Sequence, residues 1–202
     1  AETARLCGTV PGAPPGGAAL SLAADVSSRA QLSEAFEAHL RRWGKPSVVV
    51  NNAGVSEGDG GPEARDRAVA VNLTAAVEGT ALASRHLAAP GDAGAPAGPC
   101  VVNVASAGGL WPMEHAPVYA ATKAGCVMFT RSAAPRLLRE NGARLVALCP
   151  TYTASTGLGD QISSRPEGKA LVAEATGGMG LTALSHVADA FEALLDAGEP
   201  GE

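Results

Sequence analysis

A tyrosine and a lysine four residues apart, Tyr119 and Lys123 in the run YAATK, carry the most chemical information in this chain. Four residues make about one helical turn, so in a helix the phenol and the ammonium lie on one face. A nearby cation favours the phenolate, which makes the pair a potential general acid and base. Lowering the pKa of a tyrosine from about 10 to about 7 needs about 4 kcal/mol. An ammonium about 4 Å away supplies up to about that much at an effective dielectric of about 20.

Other polar residues are candidates for the same site. Ser106 lies thirteen residues before Tyr119, the run NNAG spans Asn51–Gly54, and Asn72 falls between them. Each candidate also has a simpler structural explanation. Ser106 and NNAG suit turns, Asn72 suits a bond to the backbone, and a helical lysine is usually solvated. Only their combination favours a reaction site.

Apolar runs and helix signals alternate along the chain. Four runs predict buried strands: Ala18–Val26, Ser47–Val50, Cys100–Val104 and Arg144–Cys149. Helices are predicted between Ser28 and Gly44, from about Ala64 to Ala89, over Pro117–Asn141 and over Ser185–Ala197, with an irregular, glycine-rich stretch at Thr151–Thr182. This alternation predicts one α/β domain over residues 1–202, with a doubly wound parallel sheet covered on both faces. The predicted strand ends carry Asp25, Asn51 and Ser106, and such sheets bind ligands at those ends.

Composition narrows the functional classes. The net charge is −5, without a basic block or stripe, so nucleic acid is not an expected partner. No apolar run is long enough to span a membrane. The four histidines and four cysteines show no metal-ligand spacing, so no metal site is predicted. Cysteines within apolar stretches indicate reduced thiols and a cytoplasmic location.

The motifs together resemble the short-chain dehydrogenase/reductase family. The matching pieces occur in the family's order and span most of the chain: AADV at Ala23–Val26, NNAG at Asn51–Gly54, VNL at Val71–Leu73, Ser106, YAATK at Tyr119–Lys123 and CP at Cys149–Pro150. The run Leu110–Ala134 is most similar to the NAD-linked 15-hydroxyprostaglandin dehydrogenase branch. That branch places a glutamine three residues before the tyrosine, and Ala116 here argues against a prostaglandin-like substrate.

The resemblance implies a Rossmann-type fold, NAD or NADP as cofactor with NAD favoured, and interconversion of a secondary alcohol and a ketone. It implies that Tyr119 is the general base or acid and that Ser106 donates a hydrogen bond to the substrate oxygen. Lys123 is expected to bind the nicotinamide ribose and, together with a positive nicotinamide, to lower the pKa of Tyr119. Asn72 is expected to hold a water on a proton path.

The resemblance also implies a set of cofactor contacts. Asp25 is expected to meet the adenine, and Val26 to offer its amide. The run NNAG is expected to let the backbone approach the cofactor, because Gly54 has no Cβ. The remaining cofactor contacts expected from the family are Asn51, Asn52, Ala53, Tyr119, Lys123, Pro150 and Thr153. Residues 151–184 are expected to form the substrate loop.

Three elements of the family pattern are missing from the sequence. The first two strands, the glycine-rich phosphate loop between them and the last strand have no counterpart, which predicts an incomplete fold and a fragment of a longer enzyme. A second hypothesis is a non-catalytic, dehydrogenase-like remnant that acts by association. Under either hypothesis a homodimer or homotetramer is expected through the two long helices, as the family commonly assembles. A third is a nucleotide-dependent epimerase of the same superfamily, against which NNAG argues.

Overall fold

The computed structural model describes residues 19–58, 60–91, 98–154, 166–175, 177–178 and 180–197. Within these ranges, helices and strands alternate along most of the chain. The strands are β1 (Val48–Asn51), β2 (Cys100–Val104) and β3 (Arg144–Leu148). The helices are α1 (Arg29–Trp43), α2 (Pro62–Val69), α3 (Ala75–His86), α4 (Pro117–Asn141), α5 (Pro166–Ala175) and α6 (Leu184–Ala197), with a π-helix at Ala70–Thr74 and a 3₁₀ turn at Ala107–Gly109.

The three strands form one parallel sheet in the order β1-β2-β3. Val48 pairs with Cys100 at the start of β1, and Cys100 pairs in turn with Arg144 at the start of β3. All three strands therefore end at the same edge of the sheet. Parallel strands joined through helices confirm the predicted α/β class.

Helices cover both faces of the sheet. On one face, Val101 and Leu145 pack in a core that also contains Ala83 and Leu87 near the end of α3 and Leu137 of α4. On the other face, four residues of α6 pack against the strands: Val187, Phe191, Leu194 and Leu195. The guanidinium of Arg144 donates to the backbone carbonyls of Leu194 and Leu195, which fixes the end of α6 beside β3. Strands β2 and β3 are thus buried from both sides, as their continuous apolar sequences predict, whereas Val50 of β1 is 41 % exposed.

Local signals explain the ends of the two best-predicted helices. Ser28 caps α1 through its side chain, and Gly44 ends that helix with a positive φ of 78°. Pro117 occupies the first turn of α4, where the missing N–H costs nothing, and Gly142 ends it in the left-handed region at φ 63°. Both helices were predicted, α1 from Ser28 and Gly44 and α4 as the span Pro117–Asn141, and both predictions are confirmed.

The predicted long helix from Ala64 to Ala89 is interrupted. The chain forms α2, then the π-helix Ala70–Thr74, then α3 without leaving the helical path. A π-helix accommodates an extra residue in a helix and occurs frequently at functional sites. Asn72 lies at its centre and is buried.

Two other sequence predictions are wrong. Residues 19–26 are not a strand: they are largely exposed and irregular, because none of the described strands pairs with them and a strand requires a partner. The stretch Thr151–Thr182 is not wholly irregular, since α5 occupies Pro166–Ala175 and Thr153 forms a parallel bridge with Thr182. The sequence also predicts the tail of a helix over residues 1–10, which lie outside the described residues.

A polar network lies under the carboxyl ends of β1 and β2. Asn51 and Asn103 are paired across the two strands, and the Asn51 side-chain amide donates to Asn103 Oδ1 at 2.8 Å. The same amide donates to Thr80 Oγ1 of α3, while Asn103 Nδ2 donates to Thr130 Oγ1 of α4. A Cβ on Gly79 would lie 2.1 Å from Asn51 Oδ1, so glycine is needed where α3 passes this amide. The network fixes β1, β2 and both helices together beneath the sheet edge.

Candidate active site

The catalytic helix α4 brings Tyr119 and Lys123 into one buried place. Only 8 % of Tyr119 and 3 % of Lys123 is exposed. Lys123 Nζ lies over the tyrosine ring, 5.7 Å from its centroid. The two side chains therefore lie on one face of the helix, as their four-residue spacing predicts. Both are buried, so Lys123 is not the solvated surface lysine of the simpler explanation.

Ser106 approaches the pair from the loop after β2. Its hydroxyl accepts from the N–H of Gly108 at 3.1 Å and donates to the carbonyl of Pro150 at 3.5 Å, and it lies near enough to the Tyr119 phenol to lower the pKa of that phenol. The carbonyl of Pro150, after β3, accepts from Ala107 N at 2.9 Å, so the two loops are tied together. A Cβ on Gly109 would lie only 2.6–2.7 Å from the backbone carbonyl of Lys123, so this loop touches α4 at a point where only glycine fits. The structure thus places Ser106, Pro150, Tyr119 and Lys123 together.

The electrostatics of Tyr119 differ from the sequence-based expectation. Burial raises the pKa of the Tyr119 phenol above its usual value, the Ser106 hydroxyl beside it lowers it, and the carboxylate of Glu57 raises it further. The net pKa is raised, whereas the four-residue spacing predicted a lowering by Lys123. Removing the phenolate from water is the largest of these effects.

Lys123 is held by the backbone of β2. Its Nζ donates to the carbonyl of Val104 at 2.8 Å. Burial lowers the pKa of the Lys123 ammonium, and the thiols of Cys126 and Cys149 partly oppose that lowering. The amine is fixed below the strand end and remains one helical turn from the phenol.

The Asn72 side chain makes a set of direct protein contacts. Its Oδ1 accepts from the N–H of Val55, and its Nδ2 donates to the carbonyl of Val55, both at 2.8 Å. Nδ2 also donates to Thr122 Oγ1, which in turn donates to the carbonyl of Tyr119. The side chain therefore ties the loop after β1 to α4, and the simpler explanation of a backbone bond describes it correctly.

A cleft of about 630 Å³ opens beside this cluster. Its floor includes Ala53, Gly54 and Val55 after β1, and its rim is the exposed segment with Asp25 and Val26. A Cβ on Gly54 would lie 3.4 Å from Lys123 Nζ, so the glycine leaves the path from the cleft to the amine open. The Asp25 carboxylate is fully exposed, and hydrogen bonds from the side chain and the backbone of Ser27 hold its pKa below the usual value.

Six predicted cofactor contacts are not among the residues that line this cleft: Asn51, Asn52, Tyr119, Lys123, Pro150 and Thr153. The Asn51 side chain turns into the polar network beneath the sheet. Asn52 is exposed. Thr153 is buried, and its hydroxyl donates to the carbonyl of Thr151.

Sequence reasoning missed several residues that the fold brings to the site. Glu57 is buried and accepts hydrogen bonds from the first turn of α4. Thr122 joins Asn72 to the catalytic helix, and Arg67 of α2 lines the cleft opposite Asp25. The only available signal was for Thr122, which lies within YAATK beside Lys123. Glu57 and Arg67 reach the site through contacts that are distant in sequence.

The described residues contain no group of three or more histidine, cysteine or acidic side chains arranged for a metal ion. Cys100 and Cys126 are buried free thiols, and Cys149 is half-buried. None of the described helices is both long and apolar enough to cross a membrane.

Known proteins resemble this chain along most of its length. A family model described as short chain dehydrogenase matches residues 2–167. Human 15-hydroxyprostaglandin dehydrogenase [NAD(+)] is 33 % identical over 134 residues, which are 66 % of this chain and 48 % of that protein. A 2-(S)-hydroxypropyl-CoM dehydrogenase 3 of Xanthobacter autotrophicus is 34 % identical over 151 residues, covering 73 % and 56 % of the two chains. The chain thus spans about half the length of these curated relatives.

The fold is also shared with a solved enzyme structure. The crystal structure of an actinorhodin polyketide ketoreductase with NADPH matches 92 % of this chain and 75 % of its own, with a TM-score of 0.77 and 26 % identity. This match confirms the predicted Rossmann-type arrangement.

Proposed function

Because the chain belongs to the short chain dehydrogenase family, we propose that it is part of an NAD(P)-dependent oxidoreductase that interconverts a secondary alcohol and a ketone. The observation that carries this proposal is the burial of Tyr119 and Lys123 together, with the Ser106 hydroxyl near the phenol. A phenol, a cation and a hydroxyl donor in one water-poor place are the groups needed to move a proton on a substrate oxygen.

Each residue has a definite role in this proposal. The Tyr119 hydroxyl gives its proton to the substrate oxygen during reduction and, as phenolate, takes a proton during oxidation. The Ser106 hydroxyl donates a hydrogen bond to the same oxygen. The Lys123 ammonium stabilises the phenolate when it forms, and the carbonyl of Val104 keeps the amine in place.

The residues of the cleft fit a dinucleotide. The cleft offers an exposed carboxylate at Asp25, the neighbouring Val26, and a backbone without side-chain obstruction at Ala53–Gly54 that leads to Lys123. These residues would hold the cofactor, with Arg67 as an additional cation on the opposite wall. A bound NAD(P) would supply the hydride donor or acceptor and, when oxidised, a positive charge near Tyr119. One relative is named for NAD(+) and the structural neighbour was solved with NADPH, so the choice between NAD and NADP stays open.

The substrate side is bordered by aromatic and imidazole groups. Trp111 is 71 % exposed in the loop before α4. The Tyr152 hydroxyl is hydrogen-bonded to His115 Nε2 at 3.1 Å, and the phenol of Tyr152 lies near enough to Tyr119 for the two to interact electrostatically. Residues 151–184, which contain Tyr152, are therefore proposed to contact the substrate. Ala116 stands where a prostaglandin-oxidising relative would have glutamine, so an unrelated secondary alcohol is favoured.

The test is hydride transfer by the purified protein. Absorbance at 340 nm is followed with NAD or NADP and a panel of secondary alcohols and ketones, for wild type and for Tyr119→Phe. We expect the variant to lose about 10²–10⁴-fold in kcat because it lacks the acid and base. Tyr152→Phe makes the same chemical change on a neighbouring phenol that is proposed to contact the substrate, so it should change KM more than kcat. Turnover that survives in Tyr119→Phe at the wild-type rate would refute the proposal.

A second candidate function is association without catalysis, through a second copy of the chain. The long helix α4 exposes 60 % of Met128 and 41 % of Leu138, which supports a self-association face. The molar mass from light scattering tests this candidate, with Met128→Glu expected to shift an oligomer toward the monomer. A monomeric wild type at tens of micromolar would refute it. A dimer without hydride transfer would favour it over the enzyme.

A further inference from the structure

Glu57 is a buried carboxylate at the start of the catalytic helix. Its exposed fraction is 8 %, although glutamate is rarely buried without a partner. Its Oε1 accepts from the N–H of Val118 at 2.9 Å, and its Oε2 accepts from the N–H of Tyr119 at 3.0 Å. Both carboxylate oxygens are therefore used on two successive amides of one helical turn.

These amides lack partners within their own helix. The first four N–H groups of any helix have no intrahelical acceptor, and the residue before α4, Ala116, has no side chain that accepts one. A carboxylate also suits the positive end of the helix dipole. Glu57 thus replaces the usual capping side chain from a position 61 and 62 residues away in sequence.

The segment that carries Glu57 joins the cleft to the catalytic helix. Residues 53–55 line the cleft, and Val55 is bonded in both directions to Asn72. Two residues later Glu57 reaches α4, directly at the backbone of Tyr119. The same short loop is therefore fixed at both ends, once by the π-helix and once by the residue proposed to move the proton.

We propose that Glu57 is a positioning residue for the proposed reaction, which fixes the first turn of α4 and thereby the place and the charge environment of the Tyr119 hydroxyl. The inference rests on the proposed function for its catalytic meaning. The carboxylate acts through Tyr119 and touches no substrate atom.

The charges around Tyr119 predict the direction of the effect. Glu57 faces it from the loop after β1, Lys123 from α4 itself, and Tyr152, bonded to His115, from the segment after β3. The Glu57 carboxylate raises the pKa of Tyr119, because a nearby negative charge disfavours the phenolate. Replacing it by a neutral amide removes that effect, so the pKa of Tyr119 is expected to fall.

The test titrates Tyr119 without needing turnover. The chain contains two tyrosines, so in a Tyr152→Phe background Tyr119 is the only one that remains. Phenolate absorbance near 295 nm is followed against pH for this background and with Glu57→Gln or Glu57→Asp added. We expect Glu57→Gln to move the Tyr119 midpoint to lower pH and Glu57→Asp, which keeps the charge, to move it little.

A matched control is Glu63→Gln. Glu63 lies in the first turn of α2, directly after Pro62, and is exposed. The Glu63→Gln substitution removes one negative charge, as Glu57→Gln does, but from a side chain that does not cap α4. The titration midpoint of Tyr119 should therefore not move.

Kinetics provide the second readout in the full chain with Tyr152 restored. For Glu57→Gln, kcat is expected to fall about tenfold with KM changed less than about twofold, and the limb of the pH profile set by Tyr119 moves to lower pH. An unchanged or higher Tyr119 midpoint in Glu57→Gln would overturn the inference, as would a fall in thermal stability alone. If wild type shows no hydride transfer, the proposed function fails while the titration still decides the role of Glu57.

Discussion

The two sides of the candidate site are built differently. On the catalytic side, Tyr119, Lys123 and Asn72 are buried, and the loops around them are joined by hydrogen bonds to backbone. On the cleft side, the Asp25 carboxylate is fully exposed, and its neighbours at residues 19–24 are exposed or nearly so. The difference indicates that the groups proposed to move the proton are pre-organised by the fold, whereas the proposed recognition of the cofactor's far end would depend on surface groups. Substitutions on the catalytic side should therefore lower the free energy of unfolding, whereas substitutions on the cleft side should lower the affinity for the dinucleotide.

The largest expected effect is that of Asn72→Ala on the catalytic side. The substitution leaves the N–H and C=O of Val55 and the Thr122 hydroxyl without their partner. Lost buried hydrogen bonds and a small cavity together should cost about 3 kcal/mol of unfolding free energy. Urea denaturation measures the loss. The control is Asn52→Ala, an exposed asparagine after β1, which should stay within about 0.5 kcal/mol of wild type.

Gly109→Ala tests the contact between the Ser106 loop and α4. The added Cβ would meet the backbone of Lys123 and Ala124 at 2.6–2.9 Å, and backbone cannot move aside as a side chain does. We expect a loss of about 1–3 kcal/mol in thermal or urea unfolding, with hydride transfer reduced because Ser106 moves. Gly61→Ala is the control, since only a flexible Glu63 carboxylate lies near its Cβ position. Equal losses in both variants would contradict the proposed close approach.

Structural features that depend on local sequence were predictable, whereas those that depend on distant partners were not. Ser28 and Gly44 marked the ends of α1 because capping is local, and the apolar run Cys100–Val104 marked β2 because burial on both faces leaves a continuous signature. The π-helix around Asn72 and the cap by Glu57 left no such mark. Both depend on partners at least 17 residues away, and the same local sequence is equally compatible with a plain helix.

The predicted strand at Ala18–Val26 failed for a related reason. An apolar run reports a capacity for burial, whereas a strand exists only when a neighbour pairs with its backbone. The helix α5 was missed in the opposite way, because glycine-rich flanks obscured a short helical segment that begins at Pro166. The placement of Ser106, Tyr119 and Lys123 together was predictable, and the raised pKa of Tyr119 was not, because burial is known only from the fold.

The pH dependence of stability sharpens the comparison further. Burial lowers the pKa of Lys123 from 10.5, so just below 10.5 the unfolded chain binds a proton that the folded chain has released. The contribution of Lys123 to the unfolding free energy should therefore rise with pH in that window, by at most about 1.4 kcal/mol per pH unit. The raised pKa values of Cys100, Cys126 and Cys149 act in the opposite direction near and above pH 9, and that of Tyr119 does so above 10. The slope of wild type should therefore be more positive than that of Lys123→Met, and the difference between the two is the Lys123 contribution. Urea titrations between pH 8 and 10 measure the slope, and the exposed Lys45→Met is the control.

The smallest expected effect is that of Asp25→Asn on the cleft side. The carboxylate is fully exposed, and its hydrogen bonds come from the adjacent Ser27, so the thermal midpoint should stay unchanged. Affinity for the dinucleotide should fall about three- to tenfold, because one hydrogen-bonding charge becomes neutral. Fluorescence titration with NADH and NADPH measures the change. A large loss of stability would show that this rim is structural, and the contrast between the two sides would disappear.

The amide pair Asn51 and Asn103 has a consequence for how the strands find their alignment. These side chains face each other across β1 and β2 and fit hydroxyl groups on two different helices. Sliding one strand by a single residue would turn its amide to the other side of the sheet, where apolar side chains offer it no acceptor. A shifted pairing of β1 and β2 therefore costs free energy, although their valine side chains alone would tolerate it. The folding chain is thus directed to the one alignment in which Gly54 lies beside Lys123.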